Sequence, residues 1–93
     1  MGYQINISKE AERDLQTAKC FYRLSGIEEK YDADFVNQIT YLKTSPYLFQ
    51  VYYRNVRRLH FHDFNYSIHY LVQDQAVYIL RILHNKQYMN EGN

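Results

Sequence analysis

VRRLHFHDFNYSIHYLVQDQAVYILRILHNKQ, Val56 to Gln87, reads as three consecutive short strands with cations and imidazoles threaded through them. Its only polar or turn-like breaks are Phe64-Asn65 and Gln73-Asp74-Gln75, and the runs between carry the β-branched and aromatic residues that suit a pleated surface. The stretch is a meander. Alternation puts Leu59 and Phe61 of Val56–His62 on one face, and Arg58, His60 and His62 on the other. In Tyr66–Val72 it puts Tyr66, Ile68, Tyr70 and Val72 on one face and Ser67 and His69 opposite. Ala76–Leu83 is apolar on both faces except at Arg81, the pattern of a central strand. An unpaired guanidinium buried there costs on the order of several kcal/mol. Arg81 therefore either meets a carboxylate, with Asp63 or Asp74 at the turns as candidates, or opens with Arg58 into a solvated cleft.

Upstream, Gln50–Arg54 predicts a further strand, and Tyr3–Ile7 alternates Tyr, Ile, Ile against Gln and Asn as a half-buried strand does. Ser8 is placed to cap a helix, with Glu10 and Glu12 at the positive end of its dipole. Apolar residues recur at Ala11, Leu15, Ala18, Phe21 or Tyr22, and Leu24, up to the stop at Ser25-Gly26. Ile27, Tyr31, Phe35, Ile39 and Leu42 continue the helical period to Lys43, and Ser45-Pro46 closes the second helix. The short link makes the helices antiparallel neighbours whose stripes need a sheet to cover. The reading is an α+β chain with an N-terminal strand, a two-helix antiparallel hairpin and a three- to four-stranded antiparallel sheet. With no repeat, low-complexity run or Pro/Gly-rich linker, residues 1–93 form a single domain.

Net charge is +1, which excludes the strong basic field of a dedicated duplex-DNA binder. Any nucleic-acid contact is left to a local patch. The 11 tyrosines can bury their rings and keep their hydroxyls wet, so they either fill a thin core or offer a partner amphipathic surface. The lone cysteine, Cys20, has no disulfide partner in the chain and is read as a small buried hydrophobe among Leu15, Ala18 and Phe21. No apolar stretch approaches membrane-spanning length, and Met1-Gly2-Tyr3 leads straight into strand-like residues, so a cytoplasmic protein without a membrane partner is expected.

The His and Arg residues of the meander admit three readings. Arg58, His60, His62 and His69 can solvate the open face of an antiparallel sheet. His60-x-His62 with His69 across the hairpin has metal-ligand geometry but no carboxylate at ligand spacing, so neither a metal nor a cofactor is expected. In the third reading, cations steady a scissile phosphate while a His, Lys or Tyr moves protons, as in an RNA-cleaving site.

Several short stretches resemble the ParE/RelE superfamily of small bacterial toxins, and together they span nearly the whole chain in the family's order. They are Ser8, Ala11, Asp14 and Leu15 at the opening of the first helix, Ser45-Pro46, and Arg57-Arg58-Leu59. Phe64-Asn65-Tyr66 with Ile68 and Tyr70 follows, then Ile79-Leu80-Arg81-Ile82-Leu83-His84. The resemblance implies the toxin of a type II toxin-antitoxin pair. RelE-like ribonucleases carry a phosphate-contacting Arg where this chain has Ser67 and a second where it has Gln87. If the chain nonetheless cleaves ribosome-bound mRNA, the resemblance leaves Arg58, Arg81, His84, Lys86 and Tyr88 as the catalytic candidates. The ParE-like branch is similar in more respects and implies a toxin that is not an enzyme, trapping DNA gyrase in its cleavage complex until a cognate antitoxin neutralises it. An inactive antitoxin-binding homologue is the remaining alternative. The departures are Asn65 where Pro is commoner and Lys86-Gln87 where a basic pair is frequent. The stripe Ala11, Leu15, Ala18, Tyr22 is the expected antitoxin contact, in an interface of roughly 1,600 Å².

Overall fold

A carboxylate-free run, Phe35 to His62, leads from the second helix into the sheet, and the order of elements on either side of it follows the sequence pattern. The computed structural model describes residues 2–86. Its elements are β1 (Gln4–Ile7), α1 (Lys9–Arg23), α2 (Glu28–Thr44), β2 (Val51–Tyr53), β3 (Val56–His60), β4 (Tyr66–Gln73) and β5 (Ala76–His84). The strands form one sheet in the order β1-β5-β4-β3-β2, so β2 to β5 make the antiparallel meander. β1 joins it in parallel, Gln4 opposite Ala76 through Ile7 opposite Ile79. That pairing is possible because the helical hairpin between β1 and the meander supplies the long crossover a parallel pair requires.

The two helices lie on one face of the sheet. Ser8 caps α1 by accepting the Ala11 amide at 3.0 Å, and Gly26, at φ 74°, takes the left-handed turn after the helix ends. Ala11 and Ala18 of α1 and Tyr31, Phe35 and Leu42 of α2 pack on Leu59, Ile68, Tyr70, Val77, Ile79 and Ile82. Tyr31 centres an aromatic cluster, stacked between Tyr22 (5.2 Å) and Phe61 (5.0 Å), with the edges of Phe64 and Tyr66 at 5.0 and 5.2 Å. Burial drives its hydroxyl pKa far up, and that oxygen has no hydrogen-bond partner among the described residues.

Two sequence expectations about α1 are corrected. Leu24, read as the last member of the apolar stripe, is 88% exposed because the helix has already ended at Arg23. Cys20 is exposed rather than buried. It lies two residues, about 200°, from Ala18, and so on the opposite side of the helix from the packed stripe. The predicted strand to His62 also stops early, at His60. The buried Asp34 carboxylate accepts the amides of Asp63 (2.7 Å) and His62 (3.0 Å), along with the Gln38 side-chain amide (2.9 Å), and draws the chain towards α2. Burial alone would raise the Asp34 pKa, but these donors outweigh it and hold the carboxyl below its usual value.

Candidate functional site

The face of the sheet away from the helices is built by register. Cross-strand partners share a face, so Arg58 opposite His69 and His69 opposite Arg81 form one row over β3, β4 and β5, and His60, Ser67 and Leu83 form the next. Strict alternation from Val77 and Ile79 would have carried Arg81 and Leu83 to the helix side. A bulge between the His69–Arg81 and Tyr70–Ile79 pairs inserts Leu80, so that Arg81 faces the open side and Ile82 and His84 turn to the core.

Arg81 does not end in a free cleft. β1 stops at Ile7, and the next part of the β5 edge is closed by α1: the Ser8 hydroxyl donates to Leu80 O at 2.9 Å, and Asp14 Oδ2 accepts the Ile82 amide at 3.0 Å. The same carboxylate takes Arg81 in a fork, Nε to Oδ2 at 2.7 Å and Nη2 to Oδ1 at 3.1 Å, and this outweighs burial to raise the guanidinium's pKa. The partner is Asp14, not Asp63 or Asp74. The signal was present in the sequence: three residues after Ala11 and four before Ala18, Asp14 belongs to the buried stripe of α1, where an unpaired carboxylate is costly.

His69 is 2% exposed on this open face, so it does not solvate that face as the first of the three readings had it. Tyr52 covers it edge-on, ring centroids 5.3 Å apart, and carries the Arg58 guanidinium 4.1 Å from its own ring centre. Burial first, then the charges of Arg58 and Arg81 and a further contribution from His60, lower the His69 pKa to about 4. The imidazole is neutral at neutral pH, and its Nδ1 has no partner among the described residues. Ser67, 1% exposed, donates to Asn85 Oδ1 at 2.5 Å and lies 2.6 Å from His60 Nδ1. A hydroxyl has one proton, so a Ser67 hydroxyl that donates to Asn85 accepts from the Nδ1-protonated tautomer of His60. Ser67 is fixed between two side chains rather than activated as a nucleophile.

Of the remaining catalytic candidates, His84 is not assembled with this row. His84 is on the helix side, where its ring meets Tyr66 edge-on at 5.2 Å and its Nδ1 accepts the Lys86 amide at 3.1 Å. Lys86 is exposed in the turn after β5, and Tyr88 and Gln87 lie outside the described residues. No group of three or more His, Cys, Asp or Glu among the described residues is arranged to hold a metal. Of the stripe expected to meet an antitoxin, Ala11 (0% exposed) and Ala18 (2%) are closed inside the chain's own core, and Leu15 and Tyr22 are half-buried against it. The period that marks a helix face for contact cannot say whether sheet or partner covers it, and here the sheet covers Ala11 and Ala18. Beside the Arg58 row, at the β2 border, a cavity of about 430 Å³ is lined by Leu48, Gln50, Val51, Tyr52, Arg58 and His60 among others, with no carboxylate in its wall. No helix is long and apolar enough to cross a membrane among the described residues.

The chain matches the family model described as ParE toxin of type II toxin-antitoxin system, parDE, over residues 5–89. Among solved structures it is similar to a chain of "Chromosomal ParDE TA system from P. aeruginosa", with a TM-score of 0.73 and 21% sequence identity. That likeness covers 88% of this chain and 95% of the other, and at this identity it speaks for the fold. No curated protein matches in sequence.

Proposed function

The chain belongs to the ParE toxin family of type II toxin-antitoxin systems, and on that premise we propose that it acts by binding its target rather than by cutting RNA, with DNA gyrase as that target and a cognate antitoxin as its neutraliser. The observation that carries this reading is the state of the open face. Ribonuclease chemistry on a phosphodiester needs a proton donor, a proton acceptor and cations free to follow the developing charge. Here Ser67 stands where RelE-like ribonucleases have an arginine, and it is buried and held between His60 and Asn85. Arg81 is tied to Asp14, and His69 is neutral and enclosed. His84 and Lys86 belong to the far side and the following turn. Arg58 is the cation of the row that makes no ion pair among the described residues, and in this proposal it contacts the target.

The antitoxin, on the same reading, reaches the hairpin at Leu15 and Tyr22 and at exposed Phe21, whose ring sits 5.0 Å edge-on to Tyr22. The test pairs two purified systems. Added toxin should inhibit supercoiling by gyrase and leave mRNA intact in a reconstituted translation reaction. Ribosome-dependent cleavage with gyrase unaffected would instead establish the ribonuclease reading. Inertness in both, with tight antitoxin binding, would establish an antitoxin-binding homologue.

A further inference from the structure

The cations of this chain are segregated in a way its net charge of +1 conceals. All 10 Asp and Glu residues lie outside Phe35 to His62, while Lys43, Arg54, Arg57 and Arg58 fall within it. Three of these cations are gathered on the β2–β3 hairpin, each over a tyrosine ring: Arg54 over Tyr53 at 5.2 Å, Arg57 over Tyr47 at 5.1 Å and Arg58 over Tyr52 at 4.1 Å. A ring face holds a guanidinium in place without neutralising it, so the N–H edge stays available to an anion. Arg57 directs its donors to Phe49 O at 2.7 Å and Tyr47 O at 3.3 Å and so holds the loop that leads into β2. Arg54 and Arg58 make no ion pair among the described residues.

The backbone of Arg54 adds a second observation. Tyr53 pairs with Val56, which leaves Arg54-Asn55 as a two-residue turn, and Arg54 has φ 53°, a left-handed conformation that Gly or Asn takes at lower cost. A long cation in a strained turn points to use of the side chain itself. The turn is exposed at the border of the sheet, where β2 pairs with β3 alone. The hairpin is therefore a two-stranded ribbon with a cation at its tip, and such a ribbon is narrow enough to enter the major groove of duplex DNA. On its flank, the cleft of about 430 Å³ that holds Arg58 and His60 has no carboxylate in its wall to repel a phosphate.

We infer that the tip and flank of the β2–β3 hairpin are a contact for the phosphodiester backbone of duplex DNA, with Arg54 and Arg58 each placed against a phosphate. The guanidinium fork matches two phosphate oxygens, and a duplex carries such a group at every nucleotide, so neighbouring cations find partners without a flexible acidic chain having to be ordered. A net charge of +1 is too small to draw DNA in from a distance. The contact therefore operates where another partner brings the DNA close, and with gyrase as the target it falls on the DNA that enzyme holds. That placement on gyrase-held DNA rests on the function proposed for the chain, whereas the phosphate contact at the hairpin does not.

The experiment titrates the full chain with a short duplex DNA and with poly-L-glutamate over a range of salt. The duplex should bind at low salt and lose affinity steeply as salt rises, and polyglutamate should bind more weakly. R54N and R58Q should each lower the slope of log affinity against log salt by about 0.9, while R54K, which keeps the charge, should keep the wild-type slope. R54N should melt at or above the wild-type temperature because its turn strain is relieved, so its loss of binding cannot be laid to misfolding. No binding of the duplex at low salt would overturn the inference, as would tighter binding of polyglutamate or an unchanged slope in R54N. With purified gyrase, added DNA should tighten binding of the wild-type chain by roughly tenfold and that of R54N by less. Equal binding to gyrase with and without DNA would overturn the placement on gyrase-held DNA. A chain that binds the duplex through Arg54 but does not bind gyrase would refute gyrase as the target and uphold the phosphate contact.

Discussion

The two faces of the sheet bury their residues by different means. Beneath the helices, Ile68, Tyr70, Ile79 and Ile82 are covered by α1 and α2, and the face is held by apolar contact and ring packing around Tyr31. On the other face no helix is present among the described residues, yet His69 and Ser67 are as deeply buried, under Tyr52 and between the arms of Arg58, Arg81, His60 and Asn85. The first face is held mostly by uncharged contacts, with the buried Asp34 carboxylate of α2 as the exception. The second is held together by groups whose protonation and pairing matter. A small sheet with helices on only one side can still close its second face, but it does so with polar side chains and inherits their sensitivity.

The largest expected effect is on the helix face. Tyr31→Ala removes the ring at the centre of the cluster and should cost about 3–5 kcal/mol, enough to unfold many domains of this size, and chemical denaturation measures it. A cost under about 1 kcal/mol would show that the cluster is less important than its ring contacts imply.

The open face should reveal itself by pH. Unfolded His69 titrates near 6.5 and folded His69 near 4, so between these values the unfolded state binds the extra proton. The stability due to its neutral burial is therefore complete above pH 6.5 and is lost as pH falls towards 4, on the order of 3 kcal/mol. Asp34, whose folded pKa is depressed, adds a loss in the same direction but at lower pH, beginning near the unfolded carboxylate value and continuing through its folded pKa. His69→Phe keeps a ring against Tyr52 and should flatten the stability profile between pH 6.5 and 4 while leaving the more acidic limb. An unchanged profile would mean that His69 is protonated in the fold.

Where the two faces meet, at the β5 edge, Asp14→Ala should cost about 2–3 kcal/mol, since it strands both Arg81 and the Ile82 amide. Arg81→Met should cost less, because a linear apolar chain suits the strand and Asp14 keeps one of its donors. Thermal melts of the two single variants and the double variant give the coupling. Independent, additive losses would mean that the fork at 2.7 and 3.1 Å contributes nothing of its own. The smallest effect has the opposite sign. Tyr31→Phe deletes a buried hydroxyl with no partner among the described residues and should stabilise the protein by about 0.5–1 kcal/mol. A destabilised variant would reveal a partner for that oxygen.

What the sequence determined by itself was whatever depends on neighbours a few residues apart. The period of 3.6 in Ala11–Leu42 and of 2 in Leu59–Val72, the Ser8 cap, the Gly26 turn and the Pro46 stop were enough for the order of elements and the α+β class. The same local stretches carried the resemblance to the toxin family. What only the tertiary structure decided depends on residues far apart in the chain. β1 pairs with β5 across the whole helical hairpin, and Arg81 finds its carboxylate in α1, 67 residues away, because β1 ends at Ile7 and leaves that edge for Asp14 to close. One inserted residue, Leu80, moves Arg81 to the open face and His84 to the core, and alternation read along a single strand cannot anticipate it. His69 looked like a solvated face residue for the same reason. Its burial comes from Tyr52 on another strand and from the cations on either side, and the free energy of hiding an imidazole is settled by what surrounds it in space.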